Sequence, residues 1–270
     1  MSLQPTRGLI HRLAIALAAL LLSACAGIAQ NERIALPDSP AVGEFSRAKA
    51  GDVLPGGWRV WTMSRFKKST GYRLVNDGGR TVVKAEASAS ASGLVHDVRV
   101  DPREYPILTW RWKVDGLIAG ADNSKSHTED SPARIVIAFE GDVSKLDFDD
   151  SIFFTRVRML TGYAMPYATL MYIWENKAPK GTVIPSRHTS RVQMVVAESG
   201  SSGLGEWREE SRNIYEDYKR AFGEEPPMIK SIGIMTDSDN TGEDVHAHYG
   251  DIAFLRAVKP QEPAAHGSLD

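Results

Sequence analysis

The chain has 270 residues, 42% of them hydrophobic, which is enough for one large core domain. Its net charge of -2 and the lack of a concentrated basic segment exclude a nucleic-acid binder, because phosphates need a basic face. With one cysteine in the whole chain there is no disulfide, and the domain must be held by its core, with or without a bound cation.

In chain order, the N-terminus comes first. Arg7 and Arg12 precede an unbroken apolar run, residues 13–22. A membrane span needs about 20 such residues, so this run reads as an export signal. It ends in Leu22-Ser23-Ala24-Cys25, which resembles a bacterial lipobox. The resemblance implies cleavage after residue 24, a lipid anchor on Cys25 and, since Ala26 rather than an acid follows, the outer membrane, facing periplasm or exterior. The plainer alternative is an ordinary signal peptide cut at Ala26 or Ala29. Residues 25–43 read as a tether, 44–258 as the domain and 259–270 as a disordered tail.

Alternation predicts strands over 58–63, 72–75, 81–86, 94–100, 107–114, 133–140, 152–160, 169–176, 191–198, 229–236 and 249–257. Asn76-Asp77-Gly78-Gly79 predicts a tight hairpin. In 107–114, Leu108, Trp110, Trp112 and Val114 share one face. One helix is expected over 213–222, where Ile214, Tyr218 and Phe222 recur at helical spacing before Gly223. The expected fold is therefore all-β: an antiparallel sandwich or jelly roll with one short helix.

Several stretches carry a further likeness: LPGGW at 54–58, YPILTWRWKV at 105–114, YIWENKAPKG at 172–181, FGEEP at 222–226 and IGIMTDSDNTGEDVHAHYGDIAF at 232–254. From about residue 45 to 257 the chain resembles the bacterial family known as domain of unknown function 3047. Its general form is similar, more loosely, to galactose-binding-like jelly rolls. The resemblance implies a fold and names no activity.

Chemistry has several candidate seats. The acid-rich loop 237–244 offers Asp237, Asp239, Thr241 and Asp244, with Asp251 to complete a shell of oxygens for structural calcium. The same residue types also make solvated turns. His246 and His248 share a strand face and suit zinc or copper only if His96, His127, His188 or an acid joins them. Trp110, Trp112, Tyr172 and Trp174 offer faces to sugar rings, though alternating aromatics also form cores. Arg111, Arg156, Arg158 and Arg191 sit within expected strands and could bind hydroxyls or carboxylates, Arg156 and Arg158 on one face with Ile152 and Phe154. If the protein is an enzyme, Glu140 and Glu175 are the carboxylates placed for glycoside hydrolysis. No Gly-x-Ser-x-Gly, His-Glu-x-x-His or phosphate-cradling loop is present. The leading expectation is a non-catalytic envelope binding module for a glycan or another polar ligand. A polysaccharide hydrolase or lyase, and a structural lipoprotein binding protein partners, are the alternatives.

Overall fold

A computed structural model describes residues 40–257 apart from 53 and 63–65. The lipobox, Cys25 and the tail lie outside the described residues. Among the described residues thirteen strands form two sheets. They are β1 (Ala41–Gly43), β2 (Trp58–Trp61), β3 (Gly71–Asp77), β4 (Arg80–Ser88), β5 (Ala91–Val100), β6 (Ile107–Val114) and β7 (Ser131–Phe139). After helix α1 (Phe148–Thr161) come β8 (Ala168–Glu175), β9 (Val183–Pro185), β10 (Val192–Ser199) and β11 (Arg208–Asn213). Helix α2 (Ile214–Phe222), β12 (Ile229–Asp237) and β13 (Asp244–Leu255) complete the described residues.

One sheet runs β11-β6-β13-β4-β3, with β1 on β13; the other runs β2-β5-β12-β7-β8-β10-β9. Every ladder is antiparallel except β10 on β8. That parallel pair needs a crossover, and 176–191 supplies it, laying β9 antiparallel on the outer side of β10. The sandwich expectation holds, with this one departure from a purely antiparallel sheet.

The alternating pattern of β6 is borne out: Leu108, Trp110, Trp112 and Val114 are buried. They meet the second sheet through Trp110 stacked on Tyr172 at 5.0 Å and Trp112 against Trp174 at 6.1 Å. The 76–79 turn closes the β3–β4 hairpin, with Gly78 at φ 60° and Gly79 at φ 85°, a left-handed backbone that glycine adopts without a Cβ clash.

Three corrections follow. Residues 152–160 are not a strand but most of α1. Its apolar residues gather on no single helical face, and the caps are what mark it as a helix. Asp147 accepts from the Asp150 backbone N–H at 2.8 Å, Asp149 and Asp150 occupy the first turn, and Gly162 ends the helix at φ 73°. Among the described residues there are thus two α-helices rather than one. Ala41–Gly43, placed in the tether by sequence, is a strand paired with Ala253 and Ile252 of β13. No described helix is long and apolar enough to cross a membrane.

Strands β7 and β8 are buried along their whole length, on both faces. Their inner face packs on the other sheet. Their outer face joins a second apolar layer of Val136, Met171, Ile173, Met194, Val196 and Met235. That outer layer positions the candidate site.

Candidate functional site

A cleft of about 450 Å³ lies on the outer face of the seven-stranded sheet, within the range of small-molecule sites. Its floor follows from strand register. Gly233 on β12 is flanked by Val95 on β5 and Val136 on β7, and Val136 is followed by Met171 on β8. A side chain at 233 would put its Cβ 2.9 Å from the Leu94 carbonyl oxygen. Glycine there keeps the ladder tight and leaves a hollow in the floor.

One wall is α1 with the turn after it: Phe153, Val157, Tyr163 and Met165 line the cleft. Asp150 fastens this helix, accepting from Thr189 Oγ1 at 2.6 Å and from the Ser190 backbone N–H at 3.0 Å. Burial opposes the charge on Asp150, yet the hydrogen bonds from Ser190 and Thr189 hold its pKa below the ordinary carboxylate value. Across the opening, Trp61 of β2 meets Tyr163 with ring centroids 5.9 Å apart.

The other end is charged. Arg134 of β7 is 2% exposed and holds Asp237 of β12 through Nε at 2.7 Å and Nη2 at 3.0 Å. Nη2 also donates to the Glu129 carbonyl oxygen at 3.1 Å. The remaining nitrogen, Nη1, faces the Met194 and Met171 sulfurs at 3.4 and 3.9 Å, both weak acceptors, with a Glu129 carboxylate oxygen 3.8 Å away.

Asp130, Asp237 and Asp239 bring carboxylate oxygens within 4.8 Å of one another. Asp239 is paired with Lys67. Asp130 accepts from the Thr241 backbone N–H and hydroxyl, each at 2.8 Å, and so ties down the loop that sequence suggested for calcium. Burial, with Asp130 and Asp239 adding to it, pushes Asp237 up to about 6 against the pull of Arg134. This end can exchange hydrogen bonds with hydroxyls, or hold a cation if Lys67 yields.

The family model described as "Protein of unknown function (DUF3047)" matches residues 56–253. The chain belongs to the DUF3047 family. No curated protein sequence matches it. Among solved structures this DUF3047 chain is similar to the family 11 carbohydrate-binding module of cellulosomal cellulase Lic26A-Cel5E of Clostridium thermocellum. The TM-score is 0.42 at 10% identity, over 83% of this chain and 98% of that one. It is similar also to the cellulose induced protein Cip1, with TM-score 0.34 and 10% identity over 79% and 95% of the two chains. For the agarase AgWH50C the values are 0.33 and 9%, over 82% of this chain and 25% of that one. At these scores the likenesses carry no argument about ligand or activity.

Within this DUF3047 domain the residues expected to act are mostly scattered. Arg156 and Arg158 are exposed on α1 and share no strand face. Arg191 is clamped by Glu224 at 2.6 Å and stacked 4.1 Å over Tyr167. Arg111 lies on the outer face of the other sheet, its guanidinium 4.0 Å over Trp207, in the space Gly250 leaves beside it. Trp174, Trp110, Trp112 and Tyr172 are core; Trp174 donates its indole N–H to the Gly200 carbonyl at 3.1 Å.

Glu140 and Glu175 do not form a pair. They stand at opposite ends of the eight-residue β8 ladder, about 25 Å apart at the rise of a strand. Glu140 lies 3.8 Å from Arg99, and Glu175 accepts from the Lys177 and Ala178 backbone N–H groups. Of the calcium set, Asp237, Asp239 and Thr241 are gathered, Thr241 through its bonds to Asp130. Asp244 is exposed and pairs in register with Ser88, while Asp251 accepts from the Ser46 N–H and hydroxyl at 2.8 and 2.6 Å. Strand β13 carries both of them away from the loop. His248 is buried 3.6 Å from Asp115, and His246 is exposed.

Sequence reasoning missed Asp130, Arg134, Trp61 and Tyr163. Arg134, inside the apolar run of β7, was the available signal, since an arginine there needs a buried partner.

Proposed function

We propose that this protein is a non-catalytic binding module whose ligand, a glycan or a similar hydroxyl-bearing envelope component, seats in the cleft on the seven-stranded sheet. The observation that carries this reading is the convergence of Arg134, Asp237, Asp239 and Asn240 at one end of a concave apolar floor. Such a division, mostly apolar lining with a few fixed polar groups, is the common form of a ligand site. A sugar ring has matching halves. Its C–H face suits Trp61, Tyr163 and Phe153, and its hydroxyls suit the carboxylates and Asn240.

The test is a glycan array with the soluble domain, repeated with Trp61→Ala and Tyr163→Ala. Specific binding weakened tenfold or more by both substitutions supports the reading. Binding indifferent to both places the ligand elsewhere. Release of reducing ends, abolished in Asp237→Asn or Asp239→Asn, replaces the module with a hydrolase.

Two further parts of the reading go beyond the ligand itself. The Leu-Ser-Ala-Cys string supports a lipid anchor at Cys25 and an outer-membrane location; Cys25→Ala then moves the protein from the membrane fraction to the soluble one. A structural calcium is proposed at Asp130, Asp237 and Asp239 instead of the original loop set, because those oxygens converge.

A further inference from the structure

The cleft is not built for a sugar alone. Between its two ends the floor is Val95, Gly233, Val136 and Met171, and over this stretch stand Val157 and Met165. Two of these are methionines, whose flexible thioethers adapt to an apolar body of no fixed shape. A polyol laid there would leave hydroxyls against aliphatic carbon, and each unmatched hydroxyl costs free energy. A hydrocarbon chain would gain from the same contact.

The wall helix adds an independent observation. Phe148, Met159 and Leu160 of α1 are 78, 81 and 75% exposed. Phe148 and Met159, with half-buried Ile152 between them, fall on the helix side opposite Asp150 and Val157. Thus α1 is apolar on the side that lines the cleft and apolar again on the side that faces outward. An apolar chain reaching the cleft across this helix stays in contact with side chains that shield it from water.

The charged end fixes the head. Glu129, Asp130, Asp237 and Asp239 outnumber the two cations that meet them, Arg134 and Lys67. Excess negative charge repels a carboxylate or phosphate head, and hydroxyls can donate to these carboxylates and to the side-chain oxygen of Asn240, whose amide N–H groups are already given to the Glu129 carbonyl oxygen and Asp130.

We propose that the ligand is an amphiphile of the glycolipid or alkyl glycoside class, with one apolar chain on the floor beside α1 and an uncharged, hydroxyl-rich head at Asp237–Asn240. This rests on the binding-module reading and deepens it. Both sheets of the described residues lie between 41 and 255, within the compact unit Ser39–Asp270, so a chain beginning at Ser39 carries both and serves for the test.

The experiment is calorimetric titration of that chain with alkyl glucosides of increasing chain length, each below its micelle concentration. Glucose and the free fatty acid of equal chain length are titrated beside them. The expected result is an affinity that rises about threefold to fourfold per methylene, with the fatty acid at least tenfold weaker than the glucoside of its length. Val157→Arg, at a half-buried position, should weaken glucoside binding at least tenfold, and Val157→Leu, which keeps the wall apolar, should weaken it less. Far-ultraviolet circular dichroism of each variant separates lost binding from lost fold. Glucosides that bind no more tightly than glucose overturn this inference and leave the binding module standing. A fatty acid that binds as tightly as the glucoside overturns the head assignment. If glucosides and the glycan array both give nothing, the module reading falls with it.

Discussion

Arg134 carries a charge that burial opposes, and Asp237, with two hydrogen bonds to it, is what lets that charge remain in place. Removing the guanidinium leaves Asp237 beside Asp130 and Asp239 with no counter-charge. Arg134→Met is therefore expected to cost about 3–5 kcal/mol in urea unfolding at pH 8, and less at pH 5, where Asp237 can take up a proton. An equal cost at both pH values would mean that packing, not charge, is what the arginine supplies. Glu210 behaves similarly at the edge of the other sheet. Burial, with Glu198 beside it, raises Glu210 to about 7. A carboxyl whose folded pKa stands above its unfolded one contributes stability that is full below about pH 4 and lost as pH rises through the folded value. Asp237, raised to about 6, has the same sign. Melting temperature should thus fall between pH 5 and pH 8, and Glu210→Gln should flatten part of that slope. A flat profile in the unsubstituted protein would remove the argument. Neither behaviour is visible in the sequence, because both depend on partners more than ten residues away.

At the scale of elements, α1 is a wall of the site whose residues other than Asp150 are half-buried or exposed. Its hold on the 186–190 segment runs through Asp150, buried and bonded to Thr189 and Ser190, and through Phe153, stacked on His188 at 5.9 Å. Asp150→Ala should cost about 1–3 kcal/mol and speed hydrogen exchange along 148–161 more than along β7 or β8. Uniform exchange across all three would show that the helix is fastened elsewhere. Conversely, serine at Phe148, Met159 and Leu160 should leave stability within about 0.5 kcal/mol, as expected of exposed positions. Elements differed in how well the sequence disclosed them. Strand β6 and helix α2 were legible because each buries one face and repeats with its own period. Strand β11, Arg-Glu-Glu-Ser-Arg-Asn, was not, since an edge strand of charged residues has no apolar face to display. α1 was misread because its apolar residues gather on no single helical face, and only its caps, the aspartates at its start and Gly162 at its end, mark it as a helix.

For the whole molecule, two sheets clamp a continuous apolar core, and the seven-stranded sheet bears a second apolar layer on its outer side. If calcium binds at Asp130, Asp237 and Asp239, it must displace Lys67 from Asp239 and will stabilise the whole fold by linkage. A melting temperature several degrees higher in calcium than in chelator would support that proposal. Identical melts would leave Lys67 and Arg134 as the only counter-charges required. The sequence by itself determined the fold class, most strand positions, the β3–β4 hairpin and the acid-rich character of the 237–244 loop. These are local properties, written in periodicity and turn residues. Only the tertiary structure decided that Asp130, from a segment more than a hundred residues earlier, binds that loop, that Asp244 and Asp251 leave it, and that Glu140 and Glu175 stand apart. Strand order and register bring distant residues together, and they are settled by burial of both sheets at once, which no single stretch of sequence records.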